Sequence, residues 1–173
     1  MKKLFAILVC GLMITVSGCG SNKSDNETTQ SSQNVESKSV KDIYATVSTM
    51  AEGKLTELDP QYLSNYYGID TTDLDEYVFA QSDTPESSAE TIIIIKSEDT
   101  SKFEDYKTSF ENYKKQKSQE LTNYNLPDQA KLVDKSKVVE KGNYLYLVIS
   151  ENANEIIDTI EKNIEFGGQY GIQ

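Results

Sequence analysis

Thr91-Ile92-Ile93-Ile94-Ile95-Lys96, then Ser97-Glu98-Asp99-Thr100-Ser101, then Phe103, Tyr106, Phe110, Tyr113 and Leu121 at helical spacing: this stretch decides the fold. Four β-branched residues in a row predict a strand buried on both faces, because such side chains are stiff at χ1 and pack well on a pleat. The polar break ends in a helix-start signal, with Ser101 as cap and Glu104 three residues on, as a capping box requires. The apolar positions that follow, three or four residues apart, predict a helix with one buried stripe. Glu104, Asp105, Lys107, Glu111, Lys114 and Lys115 fall on its other side.

Working outward, the composition narrows what the chain can do. It has 173 residues, long enough for one domain plus tails. The 28 acidic residues outnumber 17 lysines, and neither arginine nor histidine occurs. That balance argues against nucleic acid, where neutralising phosphate supplies most of the affinity, and against an electrostatic patch on anionic lipid. The commonest general base and metal ligand is missing, and so is the bidentate anion clamp.

The N-terminus reads as an export signal. Lys2 and Lys3 precede an apolar run from Leu4 to Val16, the length of a signal-peptide core and short of the ~20 residues that cross a bilayer. Val16-Ser17-Gly18-Cys19 resembles the lipobox of bacterial lipoproteins, with Val16 where leucine is most usual. The resemblance implies cleavage before Cys19, a diacylglyceryl group on its sulfur and a fatty acyl (palmitate-type) anchor. The expected organisation is therefore a signal peptide over 1–18, an acylated cysteine and disordered tether over 19–38, a domain over 39–166 and a loose tail over 167–173. Cys10 leaves with the signal peptide, so the mature chain can hold neither a disulfide nor a cysteine metal cage. Losing Lys2 and Lys3 leaves 15 lysines against 28 acids, a net charge near −13, so the acyl chains must supply the membrane affinity. Gly20 to Lys38 is Ser, Asn, Gln and charge with one aliphatic residue, Val35, a composition that cannot offset its ordering entropy; its random-coil span is about 25 Å.

Within the domain, Val40, Ile43, Tyr44, Val47, Met50 and Ala51 share a helical face behind a Ser39 cap. Asp59-Pro60 announces a second, short helix that carries Tyr62, Leu63, Tyr66 and Tyr67 and stops at Gly68. Leu74 to Gln81 reads as a strand, and Asp128 to Val133 as one helical turn. Lys137–Glu140 and Tyr144–Ile149 form a hairpin across Lys141-Gly142-Asn143, and a last helix carries Ile156, Ile157, Ile160 and Ile164. The fold class is α+β: N-terminal helices, then ββα-ββα, giving a four-stranded antiparallel sheet with the two later helices on one face.

Alternation makes that sheet apolar or aromatic on both faces, with Tyr144 and Tyr146 opposite Leu145 and Leu147, and Tyr77 and Phe79 opposite Val78 and Ala80. Either the two N-terminal helices cover the second face, or part of a tyrosine-rich face built from Tyr77, Phe79, Tyr144 and Tyr146 stays open and binds a partner. Asp70, Asp73, Asp75 and Glu76 crowd one loop and are the weak candidates for Ca²⁺, without the spacing or glycine of an EF-hand. No phosphate loop, CxxC motif or nucleophile elbow is present, and no cofactor is called for.

Tyr67-Gly68-Ile69-Asp70, Ala89 to Lys96, and Val138-Val139-Glu140-Lys141-Gly142-Asn143-Tyr144 through Ser150 resemble an uncharacterised family of bacterial lipoproteins of low-GC Gram-positive type, known only as a domain of unknown function. The resemblance implies an exported, lipid-tethered α+β domain and transfers no catalytic residues. The expectation is a non-catalytic binding domain on the extracytoplasmic face of the cell membrane, held by lipid on Cys19. Its expected partner is an envelope protein or cell-wall component. A small-ligand or Ca²⁺ sensor and, further off, an envelope hydrolase are the alternatives.

Overall fold

The computed structural model describes residues 38–168. The signal peptide, Cys19, the tether as far as residue 37 and the tail beyond Gly168 lie outside the described residues. Among those described, no helix is long and apolar enough to cross a membrane.

The elements in chain order are α1 (Val40–Val47), β1 (Leu55–Glu57), α2 (Pro60–Tyr67), β2 (Glu76–Ser82), β3 (Thr91–Lys96), α3 (Phe103–Asn123), α4 (Pro127–Lys135), β4 (Val138–Lys141), β5 (Tyr144–Ile149) and α5 (Ala153–Gly168). The sheet order is β1-β2-β3-β5-β4 and every neighbouring pair is antiparallel. The α+β class with a single antiparallel sheet stands, but the sheet has five strands where four were expected. The extra strand is β1, too short at three residues to show alternation, and it pairs Leu55 with Ser82 at the sheet edge.

The isoleucine run is the middle strand, and it feeds two cores at once. Ile92 and Ile94 lie in one core with Val78, Ala80, Tyr144, Tyr146 and Val148 of the neighbouring strands, and with Val40, Ile43 and Val47 of α1 and Ile156 and Ile160 of α5. Ile93 and Ile95 lie in the other, with Phe79, Leu145, Leu147 and Ile149, under Leu63 of α2, the Phe103–Leu121 stripe of α3, and Ala130 and Val133 of α4. The result is a three-layer sandwich. The later helices α3 and α5 therefore cover opposite faces, which corrects the ββα-ββα arrangement with both on one side. Of the two N-terminal helices, α1 joins α5 and α2 joins α3.

Local signals set the ends of these elements. Ser39 Oγ accepts from the Asp42 N–H at 3.1 Å, and Asp59 accepts from the Gln61 N–H at 2.8 Å ahead of Pro60. Gly68 closes α2 at φ +66°, a left-handed conformation that costs glycine nothing. The cap expected at Ser101 sits earlier: Asp99 accepts from the Ser101 N–H at 3.0 Å, and a single 3₁₀ turn over Thr100–Lys102 leads into α3. The β4–β5 hairpin closes over two residues, Gly142 and Asn143, with Gly142 at φ +60° in the first turn position.

Polar side chains tie the layers together. Glu161 of α5 accepts from Tyr146 Oη at 2.9 Å and from Lys141 Nζ at 2.8 Å, and the lysine first, then the tyrosine, hold its carboxyl below the ordinary range. Tyr144 Oη, one position-pair away on the same face, is buried with no hydrogen-bond partner among the described residues. Glu90 is buried beside Ser150, and burial pushes its carboxyl above the usual value; contacts from Ser150 and the Glu52 and Glu151 N–H groups pull the other way.

These contrasts give two expected outcomes. Tyr144→Phe removes an unsatisfied buried hydroxyl and raises stability by up to about 1 kcal/mol, whereas Tyr146→Phe removes a bond to a carboxylate and lowers it by about 1.5–3 kcal/mol. Denaturant titration reads both, and shifts of the same sign would contradict the assignment. For Glu90 the folded state binds the proton more tightly than the unfolded chain, so its contribution is full below pH 4.5 and is lost as pH rises through the raised folded value. Melting curves from about pH 4 to about pH 8 should show Glu90→Gln gaining on the wild type as pH rises; a constant difference would rule this out.

Candidate functional site

The four aromatic residues expected to form one face do not share one. Tyr77 and Phe79 lie on the Leu145–Leu147 side of the sheet, because β2 registers Tyr77 with Ile95 and Phe79 with Ile93, and β3 registers those with Leu145 and Leu147. Tyr144 and Tyr146 lie on the opposite side and are buried under α1 and α5. Phe79 is 3% exposed and Tyr77 half-buried, and both border a recess beside β2. Tyr144 and Tyr146 are thus not open to a partner, and of the sheet tyrosines Tyr77 alone borders that recess.

The acidic loop is also occupied from within. Asp70 accepts from the Thr72 N–H at 3.0 Å and the Thr72 hydroxyl at 2.7 Å, and these bonds hold its carboxyl below the usual value. Asp73 pairs with Lys102. Asp75 accepts from the Glu98 N–H at 2.6 Å. Glu76 accepts from Lys96 Nζ at 2.9 Å and from the Val40 N–H at 2.7 Å, joining β3 to the start of α1. Each carboxylate caps or ties an element, so a cation would have to displace these partners. Among the described residues no three His, Cys, Asp or Glu side chains converge as a metal site needs.

Two recesses flank α2. The larger, about 520 Å³, lies where β2 runs on beyond the short β1, and Leu58, Pro60, Tyr77 and Phe79 line it beneath Glu57, Asp75 and Lys41. The smaller, about 150 Å³, opens between α2 and α3 and is lined by Tyr62, Tyr66, Tyr67, Tyr113, Gln116, Lys117 and Glu120. Its geometry is the more specific of the two. Tyr62 and Tyr66, four residues apart on one helix face, stack with ring centroids 4.4 Å apart and planes inclined by 29°. Tyr62 meets Tyr67 at 5.8 Å, Tyr67 meets Tyr113 edge-on at 5.1 Å, and Tyr67, Phe79 and Phe110 carry the series into the core. An aromatic chain therefore runs from solvent to the middle of the protein. Its outer end is uncovered: Tyr62 is 39% and Tyr66 68% exposed, against 8% for Tyr113.

The wall on α3 is polar. Tyr113 Oη donates to Thr91 Oγ1 at 3.0 Å, since the threonine proton goes to the Ala89 carbonyl, and burial pushes the phenol up to about 12. Burial likewise raises Tyr67, so both phenols stay neutral in ordinary conditions. One helical turn past Tyr113, Lys117 is only 6% exposed; its ammonium donates to the Pro85 carbonyl and stands 3.8 Å from Glu120. Desolvation lowers its pKa while Glu120 and Glu86 oppose the shift. The stripe expectation of Phe103, Tyr106, Phe110, Tyr113 and Leu121 passes over this lysine. The sequence signal for it was positional: Lys117 is four residues after Tyr113 and four before Leu121.

Residues 47–150 match the family described as "Domain of unknown function (DUF4358)", well over half the chain. The match takes in the whole sheet, α2, α3 and α4, and hence every residue lining the smaller recess. No curated protein and no solved structure matches the chain.

If the acidic loop is structural, Glu76→Ala lowers stability by about 1.5–3 kcal/mol, the range for bonds to a charged group. Calorimetric titration of the protein with Ca²⁺ then gives no heat beyond dilution. Saturable heat that disappears in Asp73→Ala would instead make the loop a cation site.

Proposed function

The chain belongs to the DUF4358 family of domains of unknown function, and we propose that it is an extracytoplasmic, lipid-anchored binding domain that works by contact and carries out no turnover. The observation that carries the anchoring is the order of the N-terminal signals: Lys2 and Lys3, the apolar run Leu4–Val16, then Val16-Ser17-Gly18-Cys19. Lipid on Cys19 holds the domain to the outer side of the cell membrane, and the polar segment up to Lys38 gives it reach.

Contact is favoured by what the surface offers. Tyr62, Tyr66 and Tyr124 are the large apolar side chains exposed among the described residues, and two of the three stand stacked at one recess. Tyrosine suits recognition because its ring is apolar while its tip tolerates water, and it loses little side-chain freedom on binding. The chain has no histidine for proton transfer near neutral pH, and the acidic loop spends its carboxylates on N–H groups and lysines. The partner is an envelope protein or a cell-wall component that reaches the α2 surface. This moves the contact face from the sheet tyrosines to Tyr62 and Tyr66.

Two measurements test the reading. Mass spectrometry of the native product should show a chain that begins at Cys19 with a diacylglyceryl group; an unmodified residue 19 removes the anchor. A photoreactive phenylalanine analogue at position 66 should crosslink to envelope material in cells, and the same analogue at position 124 should do so far less. Equal or absent crosslinking at the two positions would refute contact through α2.

A further inference from the structure

We infer that the recess between α2 and α3 binds one ring of a neutral, hydroxyl-rich sugar, stacked on Tyr66 and hydrogen-bonded by Gln116 and Glu120. The inference rests on the binding-domain reading above and names its ligand class. A sugar ring presents a flat apolar array of C–H groups on one side and hydroxyls around its rim, so its receptor needs an aromatic face beside mixed donors and acceptors. The recess has that combination. Tyr66 stacks on Tyr62 at 4.4 Å, and Tyr62 in turn meets Tyr67, which leaves Tyr66 as the terminal ring of the series at 68% exposure. Gln116, on the facing helix, brings an amide that both donates and accepts, and Glu120 brings a carboxylate that accepts. At about 150 Å³ the space suits a single six-membered ring with its substituents.

The same residues disfavour the other ligands that aromatic sites take. A quaternary ammonium sits in an aromatic cage by cation–π attraction, but here the Lys117 ammonium lines the recess, fixed by the Pro85 carbonyl. A nucleobase would arrive with phosphate, which a chain of net charge −11 repels. An acyl chain would leave the Gln116 amide without a partner and desolvate the Lys117–Glu120 pair. A neutral ring with hydroxyls avoids all three penalties.

The test uses the full-length protein in a detergent without a sugar headgroup, titrated with chitotetraose and, separately, maltotetraose. Because the chain has no tryptophan, emission comes from its 11 tyrosines, and the part that changes on titration in the wild type and not in Tyr66→Ala reports the site; calorimetry gives an independent isotherm. The expected result is saturable binding of at least one saccharide, weakened about tenfold by Tyr66→Ala and by Gln116→Ala. Tyr66→Phe, which keeps the ring, and Tyr124→Ala, an exposed tyrosine elsewhere, should bind as the wild type does. Tyr66 is exposed enough that its removal should leave the melting temperature unchanged, which checks the fold. Absence of saturable binding to both saccharides, or full affinity in Tyr66→Ala, overturns the inference. Crosslinks from position 66 to envelope protein together with no saccharide binding would reject the sugar and leave the contact reading standing, whereas neither crosslinks nor saccharide binding would reject both.

Discussion

Everything in this fold depends on the way four consecutive isoleucines divide. On a strand, neighbouring side chains point to opposite faces, so Ile92 and Ile94 must enter one core and Ile93 and Ile95 the other. A sheet whose middle strand is apolar on both sides cannot leave either side in water. Each buried isoleucine contributes about 1.5–3 kcal/mol, and exposing either pair would cancel much of a small domain's net stability of about 5–15 kcal/mol. Two helical layers follow from that requirement. The chain provides them by alternating: α1 goes to one face, α2, α3 and α4 to the other, and α5 returns to the first.

The antiparallel order adds a second constraint. β3 and β4 point the same way with β5 between them, so the chain must travel the length of the sheet to begin β4. The 21-residue α3 makes that return, and α4 completes it. A helix of that length has more surface than the sheet can cover. Part of its stripe past Tyr113 therefore meets α2, and the recess forms at that meeting. Lys117 sits in the stripe because the Pro85 carbonyl and Glu120 receive its ammonium there while its methylene stem lies along the core.

What could be read from residues alone follows the same physics. Strong periodicity and defined caps located α1, α2, β3, α3, β5 and α5 to within a few residues, and the single antiparallel sheet followed from them. β1 was invisible, because three residues with one apolar side chain have no period. The face assignment failed for a different reason. Alternation within a strand says which residues share a face, but only the register between strands says which strand's odd residues join another's even ones. Pairing Phe79 with Ile93 and Ile93 with Leu147 separated Phe79 from Tyr146, and neither pairing is written in one strand. Sequence pattern marks the tyrosines of α2 only as helix residues. The stack of Tyr62 on Tyr66 is an i, i+4 contact within α2, but the recess beside it needs Tyr113, Gln116 and Glu120 of α3, a long-range approach that local pattern does not encode.

That geometry also separates two demands on the domain. Under the proposed anchoring, tension from the membrane enters at Ser39 and passes into α1, whose first N–H is bound by Glu76, itself paired with Lys96 of the middle strand. The load therefore reaches the sheet through a charged tie and the α1–α5 core. The tyrosine recess stands on α2 and α3, in the other layer. A ligand there changes contacts between two helices that share one face, and the middle strand that links the layers is packed tightly on both sides. Interiors packed at crystal density have low compressibility and transmit strain, so under the proposed reading a pull on α1 and a ligand at α2 would meet through the Ile92–Ile95 strand, which belongs to both cores.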